Sequence, residues 1–260
     1  MSAEADTLLA ARGLGHGFGA IRALVDVGLD LWPGEVLAVV GESGSGKTTL
    51  LNVLSGRMQP ESGVVWYRDP AGALHDVYQM SRPALRALHR SDWGFVHQNP
   101  RDNLRMRVSA GGNVGERLMA QGARNYASIR AEAIDWLTQV EIDADRVDDM
   151  PHTFSGGMLQ RLQIARTLVT KPRLVFMDEP TGGLDVSVQA RLLDLIRTLV
   201  ARLHIAVVLV THDLSVSRLL ADRIVVMQRG RVVETGLTDQ VLDDPQHPYT
   251  QLLVSSVLQA

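Results

Sequence analysis

The chain of 260 residues contains no cysteine. Disulfides are therefore excluded, as is thiolate ligation of zinc or of an iron–sulfur cluster, and the absence suits a reducing compartment. Lysine is nearly missing as well. Of the 26 basic residues only Lys47 and Lys171 are lysines, and the arginines are spread along the chain. The formal net charge of −3 offers no electrostatic footprint for a nucleic acid, so no nucleic-acid partner is expected. Long apolar runs are also absent. The longest strongly apolar stretch, Ile205 to Val210, falls far short of the ~20 residues that span a bilayer, so no direct membrane insertion is expected. Met1 to Thr7 is acidic and lacks the basic and apolar regions of a secretory signal, and the expected location is cytoplasmic. There is no internal repeat and no low-complexity segment.

The hydrophobic fraction of 45% and charged fraction of 21% are those of an ordinary globular protein with a substantial core. Four short apolar runs, Val36–Val40, Leu174–Met177, Ala206–Val210 and Ile224–Met227, read as buried strands. Amphipathic helical stretches separate several of them. One runs from Asp185 to His204 with Leu192, Leu195, Ile196 and Leu199 on one face. Another carries Leu159, Leu162, Ala165, Leu168 and Val169 and is stopped by Pro172. The pattern predicts an α/β fold with a parallel sheet covered by helices. Leu8–Leu14, Val25–Leu31 and Val64–Tyr67 predict an antiparallel sheet beside it, with the first two broken by glycines and a turn at Asp69-Pro70-Ala71-Gly72. Between about 102 and 168 the texture is helical, and Ile129, Ala133, Trp136, Leu137 and Val140 read as packing residues. Asp243 to Tyr249 starts the tail as a proline-rich turn, followed by a short apolar helix around Leu252 and Leu253.

Chemistry concentrates in three places. Gly41-Glu42-Ser43-Gly44-Ser45-Gly46-Lys47-Thr48 follows one predicted strand and opens a helix. Glycines let the backbone curl so that several N–H groups converge on one anion, and the helix N-terminus adds its partial positive charge. Lys47 then reaches β- and γ-phosphates, and Thr48 offers a hydroxyl to Mg²⁺. A glycine-rich turn matching by accident is the plain alternative, and the strand–loop–helix context argues against it. The strand Leu174–Met177 ends in Asp178-Glu179. In a parallel sheet ligands gather at the carboxyl ends of strands, which suits Asp178 to Mg²⁺ and Glu179 to the attacking water. A carboxylate pair that merely ends a strand is the bland reading. The strand Ala206–Val210 ends in Thr211-His212, which puts His212 on the same edge, within reach of a γ-phosphate; a structural histidine is the plain alternative, and the shared edge argues against it.

The order of these pieces resembles the ATP-binding cassette (ABC) ATPase family over nearly the whole chain. Phe154-Ser155-Gly156-Gly157-Met158-Leu159-Gln160-Arg161 is similar to its signature motif, with Phe154 where Leu is usual and Met158 where Gln is usual. The resemblance implies ATP and Mg²⁺ as ligands and a single domain over 1–260. Residues 8–101 and 169–236 would form the nucleotide-binding core with its antiparallel subdomain, 102–168 the helical subdomain and 237–260 a C-terminal extension. It implies that Gly41, Glu42, Ser43, Gly44, Ser45, Gly46, Lys47, Thr48 and Thr49 hold the nucleotide. Thr48, Gln98 and Asp178 would hold the metal, and Glu179, His212, Gln98 and Lys47 would carry catalysis. Ser155, Gly156 and Gly157 would face the γ-phosphate bound by a second ABC subunit, the same chain or a related one. Gly183-Leu184-Asp185 would cross that dimer interface. Phe18 is placed like the aromatic that stacks on adenine, with a plain core role as the equal alternative.

Within the family, Leu104-Arg105-Met106-Arg107-Val108-Ser109-Ala110-Gly111-Gly112-Asn113-Val114-Gly115-Glu116-Arg117-Leu118-Met119 resembles ATP-binding subunits of bacterial carbon–phosphorus lyase systems. So do the Met158 signature, the stretch from Pro180 to Arg191 and the tail Pro248 to Leu253. The implied partner is the soluble lyase core complex used in phosphonate catabolism. The alternative is the ATPase subunit of a peptide, nickel or phosphonate importer, and peptide-importer ATPases share the tail. Cassettes of DNA repair or translation usually carry a second cassette or a long coiled-coil insertion, and this chain has neither.

Overall fold

A computed structural model describes residues 7–257. The acidic N-terminal residues before Thr7 and the last three residues of the expected extension lie outside the described residues. In chain order the elements are β1 (Leu9–Phe18), β2 (Ile21–Leu31), β3 (Val36–Val40), α1 (Lys47–Leu54), β4 (Ser62–Arg68) and β5 (Leu74–Asp76). There follow α2 (Arg82–Ser91), β6 (Trp93–Val96), α3 (Ala110–Ala120), α4 (Tyr126–Gln139), α5 (Gly156–Leu168), β7 (Leu174–Asp178) and α6 (Val186–Leu203). The chain closes with β8 (Ala206–Val210), α7 (Leu214–Leu220), β9 (Arg223–Gln228), β10 (Arg231–Leu237), α8 (Thr238–Asp243) and α9 (Pro248–Val257). They form two compact units, one from the chain up to Leu85 and from His204 onward, the other from Arg86–Leu203.

In the first unit β3 is buried at every residue, as a strand covered on both faces must be. It runs parallel to β8, with Val39 opposite Val210, and parallel to β9, with Val40 opposite Val226. β10 closes this edge antiparallel to β9. A separate antiparallel sheet has the order β2-β1-β4-β5. The glycines of its first two strands do not break them, contrary to expectation. β1 and β2 run on to Phe18 and back from Ile21, and the ladder shifts register between Ala11 and Leu14. Gly13 there has φ 63°, so the extra residue is absorbed as a bulge and the strand continues. Below the parallel strands, Ala38, Val40, Ile224 and Val226 pack with Leu214, Val241, Leu242 and Tyr249, so α8 and α9 cover the sheet.

In the second unit β6 and β7 pair in parallel, and α3, α4 and α5 supply the helical part. The expected packing face of α4 is buried, with Trp136 almost wholly enclosed. The five expected apolar residues of α5 and its C-terminus are buried too, although the helix ends at Leu168, before Pro172 is reached. Lys171 stops it with φ 51°, its N–H donating to the Leu168 carbonyl. α6 begins one residue after Asp185, whose carboxylate accepts the Val188 N–H and the Ser187 hydroxyl. Those bonds hold the Asp185 carboxyl below its ordinary value.

The N-terminus of α9 is tied to β10 by Glu234, whose carboxylate accepts the N–H groups of Gln246 (2.8 Å) and His247 (3.0 Å). Burial alone would raise the Glu234 pKa, but the N–H donors and the adjacent imidazole outweigh it and hold it below the ordinary value. A carboxylate depressed in the folded state stabilises it fully above the unfolded value of about 4.3, and that contribution fades as pH falls through the lower folded value. The amides of Gln246 and His247 are therefore expected to lose hydrogen-exchange protection below about pH 4. Glu234→Gln, which keeps one of the two acceptor oxygens, is expected to lose it at one of the two amides at neutral pH, and equal protection in both proteins would show that α9 is held elsewhere.

Candidate functional site

The phosphate loop leaves β3 and turns into α1 at Lys47. A side chain at Gly41 would put its Cβ 2.2 Å from the Met227 carbonyl oxygen, so only glycine lets the loop start against β9. Downstream the Gly230 N–H donates to the Ser45 carbonyl (2.9 Å), and the Ser45 N–H donates to the Glu42 carbonyl (3.2 Å). Lys47 is only 6% exposed. Its ammonium donates to the carbonyl oxygens of Gly41 (2.7 Å) and Glu42 (2.8 Å). The Ser45 hydroxyl is buried with no hydrogen-bond partner among the described residues, a polar atom suited to an incoming ligand oxygen. Glu42, Ser43, Gly44 and Thr48 are exposed along the same loop, while Gly46 and Thr49 are half-buried. Because β3 and β8 are parallel neighbours in register, the loop and Thr211-His212 leave the sheet at the same edge. His212 is exposed there, ahead of Asp213, which caps α7 by accepting the Ser215 N–H (2.8 Å). Phe18 ends β1 and is 51% exposed, with the ring of His16 edge-on at 4.9 Å, so the core alternative for it falls.

In the second unit the pairing of Val96 with Met177 brings Gln98 and Glu179 out at one edge. The Gln98 amide donates to a Glu179 carboxylate oxygen at 2.9 Å. Glu179 has φ 43°, a left-handed conformation uncommon for a residue with a side chain, and its carbonyl accepts the Gly182 N–H. Strain of this kind gathers where a side chain must be aimed. Asp178, the last residue of β7, is half-buried beside it.

Two residues given no role by sequence reasoning hold this edge together. Gln160 and Gln163 are buried on α5. The Gln163 amide accepts the His97 N–H (2.8 Å) and donates to the His97 carbonyl (3.0 Å), the residue before Gln98. The Gln160 amide donates to the Pro180 carbonyl (2.6 Å), the residue after Glu179, and accepts from Gln163 (3.2 Å). The signal was available: two amides one turn apart on a helix face otherwise lined by Leu159, Leu162 and Ala165.

At the other end of α5, Ser155 is the N-cap and its hydroxyl accepts the Met158 N–H (3.3 Å). A side chain at Gly157 would put its Cβ 2.6 Å from Val188 on α6, so this glycine is set by close packing as well as by chemistry. The two departures from the common signature share one partner. The Arg146 guanidinium lies 4.6 Å over the buried Phe154 ring, donates to the Met158 sulfur (3.4 Å) and pairs with Asp149 (2.8 Å).

Among the described residues no cluster of three His, Asp or Glu side chains is placed to hold a metal ion. Mg²⁺ does not need one, since it keeps several waters and takes one or two protein oxygens, and the Thr48 hydroxyl and Asp178 carboxylate are donors of that kind.

A family model described as ABC transporter matches residues 24–182. The chain belongs to the ABC transporter ATPase family. A second model, described as the oligopeptide/dipeptide transporter C-terminal region, matches residues 233–260. The phosphonates utilization ATP-binding protein PhnK of Escherichia coli K12 is 64% identical over 97% of this chain and 98% of its own length. The dipeptide transport ATP-binding protein DppF of the same strain is 39% identical over 91% of this chain and 69% of its own. Among solved structures, the ATP-binding cassette MJ0796, a dimer bound to ADP and Pi, superposes with a TM-score of 0.78 at 29% identity, covering 88% of this chain and 98% of that one. The protein is thus an ABC-type ATPase with the α/β fold expected.

Gln163→Leu keeps the volume near that of the native side chain but takes the Gln163 acceptor from the His97 N–H and the donor from the Gln160 amide oxygen, while the His97 carbonyl keeps the Gln160 amide at 3.4 Å. Two buried polar groups thereby lose a partner, at about 1–3 kcal/mol each where water cannot reach. The variant is expected to lose roughly 2–3 kcal/mol of unfolding free energy in urea titration. An unchanged midpoint would show that His97 is held without the amide.

Proposed function

We propose that this ABC ATPase serves phosphonate catabolism as the ATP-hydrolysing subunit of a carbon–phosphorus lyase system, working in the cytoplasm as a dimer that closes on two ATP molecules. The observation that carries the reading is the 64% identity to the phosphonates utilization ATP-binding protein along essentially the full length of both chains. The segment from Leu104 to Met119, which follows Gln98, supports it as the surface that meets the lyase core. In this reading residues 8–101 and 169–236 act as the nucleotide-binding core, 102–168 as the helical subdomain and 237–260 as an extension.

Each residue has a task that its surroundings fit. The N–H groups from Gly44 to Thr49 and the positive end of α1 bind the phosphates, and Ser45 gives its unmatched hydroxyl to the same anion. Lys47 exchanges its two carbonyl partners for β- and γ-phosphate oxygens. Phe18 offers its exposed ring to adenine. Thr48, Gln98 and Asp178 would hold Mg²⁺, which would supply positive charge against the negative charge of the phosphates. Glu179, aimed by its left-handed backbone and by Gln98, takes the proton of the water that attacks γ-phosphorus. His212 hydrogen-bonds the γ-phosphate. Ser155, Gly156 and Gly157 complete the site of the facing subunit with a hydroxyl, backbone N–H groups and the positive end of α5.

Two observations favour a second reading. Residues 233–260 match the C-terminal region of oligopeptide and dipeptide transporters, and DppF is 39% identical. An importer subunit would share all the nucleotide chemistry and differ only in its partner.

Glu179→Gln keeps the size and the hydrogen bond to Gln98 but removes the base. It is expected to bind ATP as the native chain does, to lose at least about 100-fold in kcat, and to elute as a dimer in ATP. Turnover within about twofold of native would remove Glu179 from the base role. A tagged pull-down from phosphate-starved cells is expected to recover soluble lyase core subunits. Recovery of an integral membrane permease in their place would decide for the importer.

A further inference from the structure

The phosphate loop is gripped from the C-terminal end of the chain. The Glu42 N–H donates to the Tyr249 hydroxyl at 3.0 Å, across a separation of 207 residues. Tyr249 is the second residue of α9, and its ring is buried in the cluster with Val40, Leu214, Val226 and Leu242. Only its hydroxyl end turns to the loop. The other side of the same stretch of backbone is occupied as well, because the Glu42 carbonyl accepts the Lys47 ammonium and the Ser45 N–H. The residue that docks the catalytic lysine therefore has its N–H fixed by Tyr249.

The seat of Tyr249 is itself built. Glu234 holds the N–H groups of Gln246 and His247, the His247 Nδ1 accepts the Tyr249 N–H (3.1 Å), and the Gln251 amide donates to the Pro245 carbonyl (3.0 Å). These bonds fix the first turn of α9, so the hydroxyl arrives at one height against the loop. We propose that Tyr249 is a positioning residue for ATP, through which α9 sets the affinity of the phosphate loop for nucleotide.

The physical argument concerns preorganisation. With the hydroxyl in place, the turn after Gly41 has one orientation, so the loop that receives the phosphates is set before nucleotide arrives. Without it the Glu42 N–H loses its partner and the turn can rotate, so binding has to restore that order. This cost falls equally on bound ATP and on the transition state. Uniform binding of that kind appears in KM and not in kcat. The inference rests on the ATPase activity of the family and not on which partner the protein serves.

The test is Tyr249→Phe in the full chain, which keeps the ring in the cluster and removes only the hydroxyl. The readouts are equilibrium binding of a fluorescent ATP analogue with Mg²⁺ chelated, and the steady-state KM and kcat. The expected result is nucleotide binding and KM weakened about five- to tenfold, the worth of one hydrogen bond whose partner is left unmet, with kcat within about twofold. Leu253→Ala serves as a packing control, since Leu253 lies against the same cluster and its side chain has no polar atom to offer the loop. It is expected to lower the thermal midpoint while leaving ATP affinity as in the native chain. Unchanged binding in Tyr249→Phe would overturn the proposal. So would a loss of kcat with KM preserved, or equal weakening of ATP binding in Leu253→Ala, which would reduce the effect to general loosening of α9. Failure of the native chain to bind the analogue would count against the ATPase reading, and so is distinct from failure of this one.

Discussion

The arrangement of the second unit depends on one buried contact, the paired amides of Gln160 and Gln163. A primary amide taken out of water must find partners for both its oxygen and its nitrogen, or cost about 1–3 kcal/mol for each group left bare. Here the partners are backbone groups at the ends of two strands, at His97 and at Pro180. The requirement works as a jig. α5 cannot shift along its axis without orphaning an amide, and the strand ends cannot move without leaving α5. Gln98 directly follows one anchor and Glu179 directly precedes the other, which is why their side chains meet at 2.9 Å. Ser155 caps the same helix. Three motifs far apart in sequence are thereby members of one rigid element.

The first unit reaches a similar end by different means. Its anchors are the register of parallel strands and the closeness that Gly41 permits to β9. The loop is held by backbone hydrogen bonds, by a buried lysine seated on carbonyl oxygens and by a tyrosine from α9. Cationic charge is costly to bury, and Lys47 is tolerated because two carbonyl dipoles replace the lost water. The same seating makes it exchangeable. Neutral carbonyls hold an ammonium less firmly than phosphate oxygens do, so an anion entering the loop wins the lysine without any larger rearrangement.

What the sequence disclosed, and what it hid, follows from where each signal is physically encoded. Val36–Val40 and Ala206–Val210 were legible because strands buried on both faces are uninterrupted apolar runs. β6 is buried at three of its four residues, but Trp93-Gly94-Phe95-Val96 is short with a glycine in it, and only its pairing with β7 makes it a strand. β10 is half-exposed along most of its length and carries Arg231 and Glu234, so its pattern reads as surface. Gly13 looked like a break because a bulge and a chain interruption use the same residue, and only the partner strand tells them apart. The motif residues were legible since each acts through its own type and local spacing. Gln160, Gln163 and Tyr249 act through backbone groups up to 207 residues away, for which no local pattern exists.

The unusual signature shows how such long-range constraints bear on chemistry. Leu and Gln are usual where this chain has Phe154 and Met158, and nothing along the chain links the two departures. In space they are linked by Arg146, which covers the phenyl ring with its guanidinium face and donates to the thioether sulfur. A planar cation over an aromatic face is favourable, and a sulfur acceptor at 3.4 Å turns the Met158 side chain toward Arg146. Asp149 balances the charge through the Arg146 Nε. A glutamine at this position would bring an amide with its own donors to an arginine already surrounded by partners. Methionine brings an acceptor alone. The side chain at 158 is thus committed to bracing the start of α5, and any phosphate contact from this motif falls to the Ser155 hydroxyl and to the N–H groups of Gly156 and Gly157 at the positive end of the helix.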